Sequence, residues 1–159
     1  MDATNKIANP QIGLNGEITT EGHQQTVRVY YADTDFSGVV YHGRYLEFLE
    51  RGRSDFLRMT GVHHTELADG THGDRLVWIV RRMEIEYRQP ARIDDVLTVF
   101  TKVVTVSGAR VSMHQEIRRD KTLLIEAKVE AAIVDESGRP KRFPKEWVPL
   151  FLPSETNSS

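Results

Sequence analysis

The chain contains no cysteine, which excludes disulfides, a thiol nucleophile and any thiolate metal site. That absence fits a reducing compartment. No stretch approaches the roughly 20 apolar residues that span a bilayer. The start, Met1-Asp2-Ala3-Thr4-Asn5-Lys6, lacks the apolar segment of a secretory signal. The expectation is a cytoplasmic protein without an integral membrane segment. Charge of one sign is also missing: 21 basic residues stand against 23 acidic ones, for a formal net charge of −2. No global positive field therefore points to nucleic acid or anionic lipid, and an anionic ligand must be met by local basic residues. Neither a P-loop nor a Gly-x-Gly-x-x-Gly motif occurs.

What is present is a soluble, globular composition, 39% hydrophobic and 28% charged over 159 residues, enough for one domain with one core. Residues 1–24 are polar, with Pro10, Gly13, Gly16 and Gly22, and read as a flexible arm. Residues 25–152 read as a single domain and residues 153–159 as a tail.

Thr26-Val27-Arg28-Val29-Tyr30-Tyr31 alternates and is rich in β-formers, so it reads as a first strand. A turn-forming stretch dense in Asp, Ser and Gly follows, Ala32 to Gly38. From His42 to about Met59 the spacing predicts a helix. Arg44, Glu47, Arg51, Ser54, Asp55 and Arg58 lie opposite an apolar stripe of Tyr45, Leu46, Leu49, Gly52, Phe56 and Leu57. Gly52 costs a helix interior about 1 kcal/mol, so it reads as a point of close packing against a sheet. Arg53 falls inside the apolar sector and reads as one half of a buried structural ion pair.

The second half is nearly all strand. Val77, Ile79, Met83, Ile85 and Tyr87 fall on one face by simple alternation, with Leu76, Trp78 and Val80 on the other. A strand over 96–106, a hairpin at Ser107-Gly108, and two more alternating runs through Val111–Arg118 and Leu123–Ile133 complete the pattern. A short terminal helix is expected around Lys145–Leu150. The reading is an α+β fold, a five-stranded antiparallel sheet around one long helix. One helix cannot cover both sheet faces, so Leu76, Trp78 and Val80 are expected to meet another subunit.

Chemistry concentrates in the segment Asp33-Thr34-Asp35-Phe36-Ser37-Gly38-Val39-Val40-Tyr41-His42-Gly43-Arg44-Tyr45. It sets loop carboxylates beside a helix start, whose unpaired N–H groups suit an anion or oxyanion. Two bland readings stand beside this one: an Asp-rich capping turn, and an Asp-x-Asp metal site of the kind found in sugar-nucleotide transferases. His63, His64, Asp69, His72 and Asp74 resemble a metal cluster by composition, but without a recognised ligand spacing they read as an ordinary polar loop. His23 and His114 read as exposed.

The runs Val29–Asp35, Gly38–His42, Tyr45–Phe48 and Glu50–Arg53, with Tyr87–Leu97 later, resemble the 4-hydroxybenzoyl-CoA thioesterase group of hot-dog proteins. Within that group the sequence is most similar to the acyl-CoA thioesterases associated with the Tol–Pal system. The resemblance implies a hot-dog fold and hydrolysis of an acyl-CoA thioester without metal or organic cofactor, acyl carrier protein being the alternative carrier. It implies a homo-oligomer, a dimer of dimers with active sites spanning subunit boundaries. By motif, Asp35 takes the place of the catalytic carboxylate, attacking the thioester or activating water, and the backbone N–H of His42 that of the oxyanion donor. The His42 imidazole is left between carbonyl polarisation, proton transfer and capping. Gly38, Val40, Tyr41 and Gly43 are implied in substrate binding. The group's basic cluster for CoA phosphates is reduced here to Arg110, the one local candidate. The absence of a Gly-x-Ser-x-Gly elbow argues against an α/β-hydrolase route to the same activity. A hot-dog hydratase or dehydratase, and a non-enzymatic acyl-binding or scaffolding partner of envelope or lipid-synthesis proteins, are the alternatives.

Overall fold

The computed structural model describes residues 10–62, 67–70 and 75–152. In chain order the elements are α1 (Pro10–Asn15), β1 (Glu17–Thr19), β2 (Gly22–Arg28), α2 (Arg44–Met59), β3 (Val77–Tyr87), β4 (Val96–Ser107), β5 (Arg110–Arg119), β6 (Thr122–Val134), β7 (Pro140–Lys141) and α3 (Val148–Phe151). The strands form one antiparallel sheet in the order β1-β2-β4-β5-β6-β3, with the two-residue β7 added to the end of β6. The expected five long strands are β2 to β6, and two short ones extend them. This is the hot-dog arrangement, with the sheet packed around α2. Residues 10–24, read as arm, hold α1, β1 and the start of β2 instead. The strand expected over Thr26–Tyr31 is β2, which begins at Gly22 and ends at Arg28, and its register on β4 runs His23↔Thr101 to Arg28↔Val96.

The sheet packs on α2 through the odd-numbered residues of its central strands. Leu97, Val99, Thr101 and Val103 on β4 face Val111, Met113, Gln115 and Ile117 on β5, all buried. Gly52 is the point of nearest approach: a Cβ there would lie 2.8 Å from Val99 Cγ1 and 3.0 Å from Thr101 Oγ1. The expected close packing is what holds the helix on the sheet.

Simple alternation misplaces the faces of β3. The register passes from Val80↔Ala131 to Arg82↔Glu130, so Arg81 is an extra residue in a β-bulge. Below the bulge, Trp78 and Val80 pair with Ile133 and Ala131. Above it, Met83 and Ile85 pair with Val129 and Ala127. All four therefore share the helix-facing side, and Leu76 is buried in the core. Trp78 joins an aromatic cluster with Phe143 and Phe151, at ring separations of 5.2 and 6.2 Å. Phe143, Trp147 and Phe151 come from the terminal segment, which ends in α3 close to the expected position. The outer face is polar: Lys102, His114, Lys128 and Glu84 align in one row across it. The face expected to be apolar is thus the inner one, and the exposed apolar residues Val77, Ile79 and Val80 lie on the edge strand β3.

Three further expectations change. Among the described residues Arg53 pairs with no acid; its Nη1 donates to Gln115 Oε1 at 3.0 Å. His23 is fully buried on the inner face, its Nε2 2.6 Å from Asn15 O, because α1 and α2 cover that strand. His114 is half-buried beside Glu126 at 3.1 Å. Among the described residues no helix is long and apolar enough to cross a membrane.

Candidate active site

Asp33 and Asp35 lie two residues apart and have different partners. Asp33 ends a single 3-10 turn (Tyr31–Asp33). Its Oδ2 accepts the Tyr30 N–H at 2.8 Å and its Oδ1 lies 3.4 Å from Arg44 Nε in the first turn of α2. Its carbonyl accepts the Tyr41 N–H at 3.0 Å. Asp33 therefore ties the loop to itself and to the helix, which is the capping role that an Asp-rich turn suggests.

Asp35 has no cation within ion-pair distance among the described residues. Its Oδ1 accepts the Ser37 N–H at 2.8 Å and the Ser37 hydroxyl. Those two donors, the hydroxyl foremost, hold its carboxyl below the usual carboxylate range, with the nearby His42 ring adding in the same direction. Its Oδ2 has no hydrogen-bond partner among the described residues. The side chain is half-exposed, so the carboxylate is ionised, open and positioned at one oxygen only.

The backbone explains the local geometry. Asp35 N donates to Val39 O and Gly38 N to Asp35 O, both at 3.0 Å, closing a tight turn. Gly38 has φ +86°, a left-handed conformation that most side chains resist. Val40 N then donates to Ala91 O at 2.9 Å, and Val39 bridges Arg92. The loop is thereby clamped to the 91–92 segment. Val40, implied in substrate binding, is buried in the core and anchors the loop.

His42 and Gly43 form the turn before the helix rather than its first residues. Arg44 N donates to Tyr41 O at 2.8 Å and Leu46 N to Gly43 O at 3.2 Å. The backbone N–H groups of His42 and Gly43 find no acceptor among the described residues, which leaves two donors at the positive end of a 16-residue helix. At Gly43 a Cβ would sit 2.7 Å from the exposed Tyr41 ring, so a larger residue there would displace that ring. The His42 ring stacks obliquely on Tyr41 at 4.5 Å and meets Tyr87 edge-on at 6.4 Å. Asp35, Gly38, Tyr41, His42 and Gly43 are thus brought into one loop-and-helix entry. Phe36, Tyr31 and Tyr41 stand exposed around it.

Arg110 is not part of this cluster. It lies at the start of β5, in the row Arg110↔Ala132↔Ile79, and its guanidinium is 3.4 Å from Glu130. Tyr87, which marks the active-site end, stands in the row of Ile125 and Ile117. Seven residues of strand between Arg110 and Ile117 amount to roughly 23 Å. Two residues beside the site went unassigned from sequence: Tyr87, whose hydroxyl holds the His42 carbonyl at 3.1 Å, and Arg92, which is exposed beside Val39. Both belong to the run Tyr87–Leu97 that carries the family resemblance, which was the available signal.

Of the histidine- and aspartate-containing stretch read as an ordinary polar loop, His63, His64, His72 and Asp74 lie outside the described residues. His114, Glu116 and Glu126 approach one another closely enough to share a cation on the outer face. Glu126 is already held by Arg88 at 2.7 Å and Glu116 by Arg118 at 2.7 Å.

The sequence pattern of the Thioesterase-like superfamily matches residues 29–150. The chain is 40% identical over 131 residues to the acyl-CoA thioesterase YbgC of Haemophilus influenzae, covering 82% of this chain and 94% of that protein. It is 40% identical over 127 residues to the acyl-CoA thioester hydrolase YbgC of Escherichia coli, covering 79% and 92%. Among solved structures, a probable thioesterase from Bartonella henselae matches with a TM-score of 0.75 at 53% identity, over 77% of this chain and 98% of that one. Sequence, fold and relatives agree that this chain belongs to the thioesterase-like superfamily.

Proposed function

We propose that the chain hydrolyses acyl-CoA thioesters, with Asp35 as the reacting carboxylate. The observation that carries the reading is the division between the two aspartates. Asp33 is committed to the loop and to Arg44, whereas Asp35 is ionised, oriented by Ser37 and, among the described residues, free at Oδ2. Asp35 then attacks the thioester carbonyl or activates the water that does. The unpaired N–H groups at His42 and Gly43 face the developing oxyanion, where such donors contribute about 3–4 kcal/mol. The His42 ring, within electrostatic reach of Asp35, polarises the carbonyl or passes the proton. The relatives' activity on acyl-CoA supports CoA as the carrier, with acyl carrier protein as the alternative arm of the test. The resemblance to Tol–Pal-associated enzymes supports a cytoplasmic protein that works near the envelope.

The site is completed by a second copy. β3 ends the sheet, and its outer edge offers unpaired backbone groups flanked by exposed Val77, Ile79 and Val80. Two β3 edges pairing antiparallel about a two-fold set each subunit's active-site end beside the other's far end. Two such dimers make the tetramer.

The test is release of free thiol from a panel of acyl-CoA and acyl carrier protein thioesters, with light scattering on the same sample. Thiol release by the wild type, lost in Asp35→Asn, supports the reading. A product that keeps its thioester, or no reaction at all, overturns it, and a monomer with full activity overturns the shared site. Loss of activity in EDTA with rescue by zinc or manganese reassigns the aspartates as ligands.

A further inference from the structure

Arg53 is a largely buried cation with donors to spare. Nη1 donates to Gln115 Oε1, while Gln115 spends its own amide group on Leu49 O and Thr101 Oγ1, at 2.9 and 2.8 Å. Among the described residues no carboxylate lies within ion-pair distance of Arg53. A guanidinium carries five N–H donors, so a single neutral protein acceptor leaves the others open to a ligand or to water.

Arg53 also lines a cavity of about 110 Å³ between α2 and β3, with Glu50, Leu57, Trp78, Val80 and Met113. One water needs roughly 10–15 Å³ by the same measure, so the cavity holds several heavy atoms. Its wall is mainly apolar and carries one cation and one carboxylate. Glu50 accepts the Ser54 hydroxyl at 2.7 Å and keeps further lone pairs.

The cavity is in line with the active site. Leu46, Glu50, Arg53 and Leu57 recur at helical spacing along one stripe of α2. Facing them, the inner row of β3 runs Tyr87, Ile85, Met83, Val80, Trp78, and Tyr87 touches His42. Leu46 is exposed, and Met83 and Ile85 are half-exposed, along the interval between the two. Ten residues of helix from Gly43 to Arg53 set the separation at roughly 15 Å.

We propose that an acyl chain extends from Asp35 along this line and that Arg53 and Glu50 select one whose far end is a hydroxyl group. The proposal rests on the thioesterase reading. A hydroxyl accepts from Arg53 and donates to Glu50, whereas a methyl end offers a partner to neither. A carboxylate end attracts Arg53 but meets the charge of Glu50.

Three CoA thioesters of equal chain length separate these cases: dodecanoyl-CoA, ω-hydroxydodecanoyl-CoA and the monothioester of dodecanedioic acid. In wild type, kcat/KM by thiol release is expected to be at least about tenfold higher for the hydroxylated chain than for either other chain, as one hydrogen bond to a charged group implies. Arg53→Met brings the hydroxyl-to-methyl ratio to about one, and Arg53→Lys restores part of it. Glu50→Gln raises the dicarboxylic chain relative to the hydroxylated one. Should Arg53→Met fail to fold, the wild-type panel and Glu50→Gln still decide. Wild-type preference for the methyl or carboxylate end overturns the proposal and leaves the thioesterase reading intact. So does hydrolysis of short acyl-CoAs alone. No hydrolysis of any thioester overturns the thioesterase reading itself.

Discussion

The Tyr87 hydroxyl donates to the His42 carbonyl at 3.1 Å, across forty-five residues of chain. That bond joins the end of the edge strand to the turn that opens α2. The same ring packs on Tyr45 at 5.8 Å, and the Tyr45 hydroxyl accepts the Ala91 N–H at 2.9 Å. The direction of the His42 peptide is therefore set by β3. Tyr87→Phe keeps the ring and removes the bond. The expected outcome is a fall in kcat of up to about tenfold with little change in melting temperature, because the hydroxyl is exposed and worth about 1 kcal/mol. Unchanged kcat in the folded variant shows that the bond is incidental.

Asp35→Asn keeps shape and hydrogen bonding but removes charge. Turnover is expected to fall by at least two to three orders of magnitude, about 3–4 kcal/mol of barrier, with melting temperature and oligomer size nearly unchanged. Asp33→Asn weakens the ion pair with Arg44 and is expected to act on melting temperature more than on turnover. Turnover within about threefold of wild type in folded Asp35→Asn would falsify the mechanism.

Ser37 holds the Asp35 carboxyl low, so the charged form is present above a depressed pKa and is lost as pH falls through it. The acid limb of the kcat/KM profile is expected below the ordinary aspartate value of about 3.9. Ser37→Ala removes the hydroxyl bond and moves that limb upward. A profile that does not move separates Ser37 from the reacting group.

Gly52→Ala tests the helix–sheet contact. The added Cβ meets Val99 Cγ1 at 2.8 Å in a packed core. Overpacking costs about 1–3 kcal/mol, against a gain of about 1 kcal/mol in helix propensity. The net effect on denaturant midpoint is expected to be destabilising. A stabilised variant means that the helix moves away from the sheet without loss.

Burial holds the His23 imidazole below its ordinary pKa, opposed by Asn15 and Asp55, so it is neutral in the fold. The unfolded chain takes up this proton near pH 6.5. Below that pH the unfolded state binds more protons, so stability is full above it and falls as pH drops toward the folded value. Denaturant midpoints from pH 7.5 to 5.5 are expected to decline in wild type and to decline less in His23→Gln. Equal slopes show that His23 does not carry the dependence.

Local sequence determined the span of α2, the alternation of β4 to β6, the place of Gly52 and the Asp-rich turn before the helix. Each follows from residues within a few positions of one another, where spacing maps directly onto a face or a turn. The tertiary structure alone decided which side of β3 is inward. The extra residue at Arg81 is a property of the pairing with β6, and it turns Trp78 and Val80 to the side of Met83 and Ile85. It also decided that His23 is buried, because burial depends on which helices cover a strand. It made Gln115, sixty-two residues away, the partner of Arg53. Asp33 and Asp35 look alike in the sequence and differ only by what the fold sets beside them: Arg44 and a backbone N–H against Ser37 and open solvent. Arg110 adjoins the β4–β5 hairpin and so lies at the far end of the sheet, because successive hairpins of an antiparallel sheet fall at opposite ends.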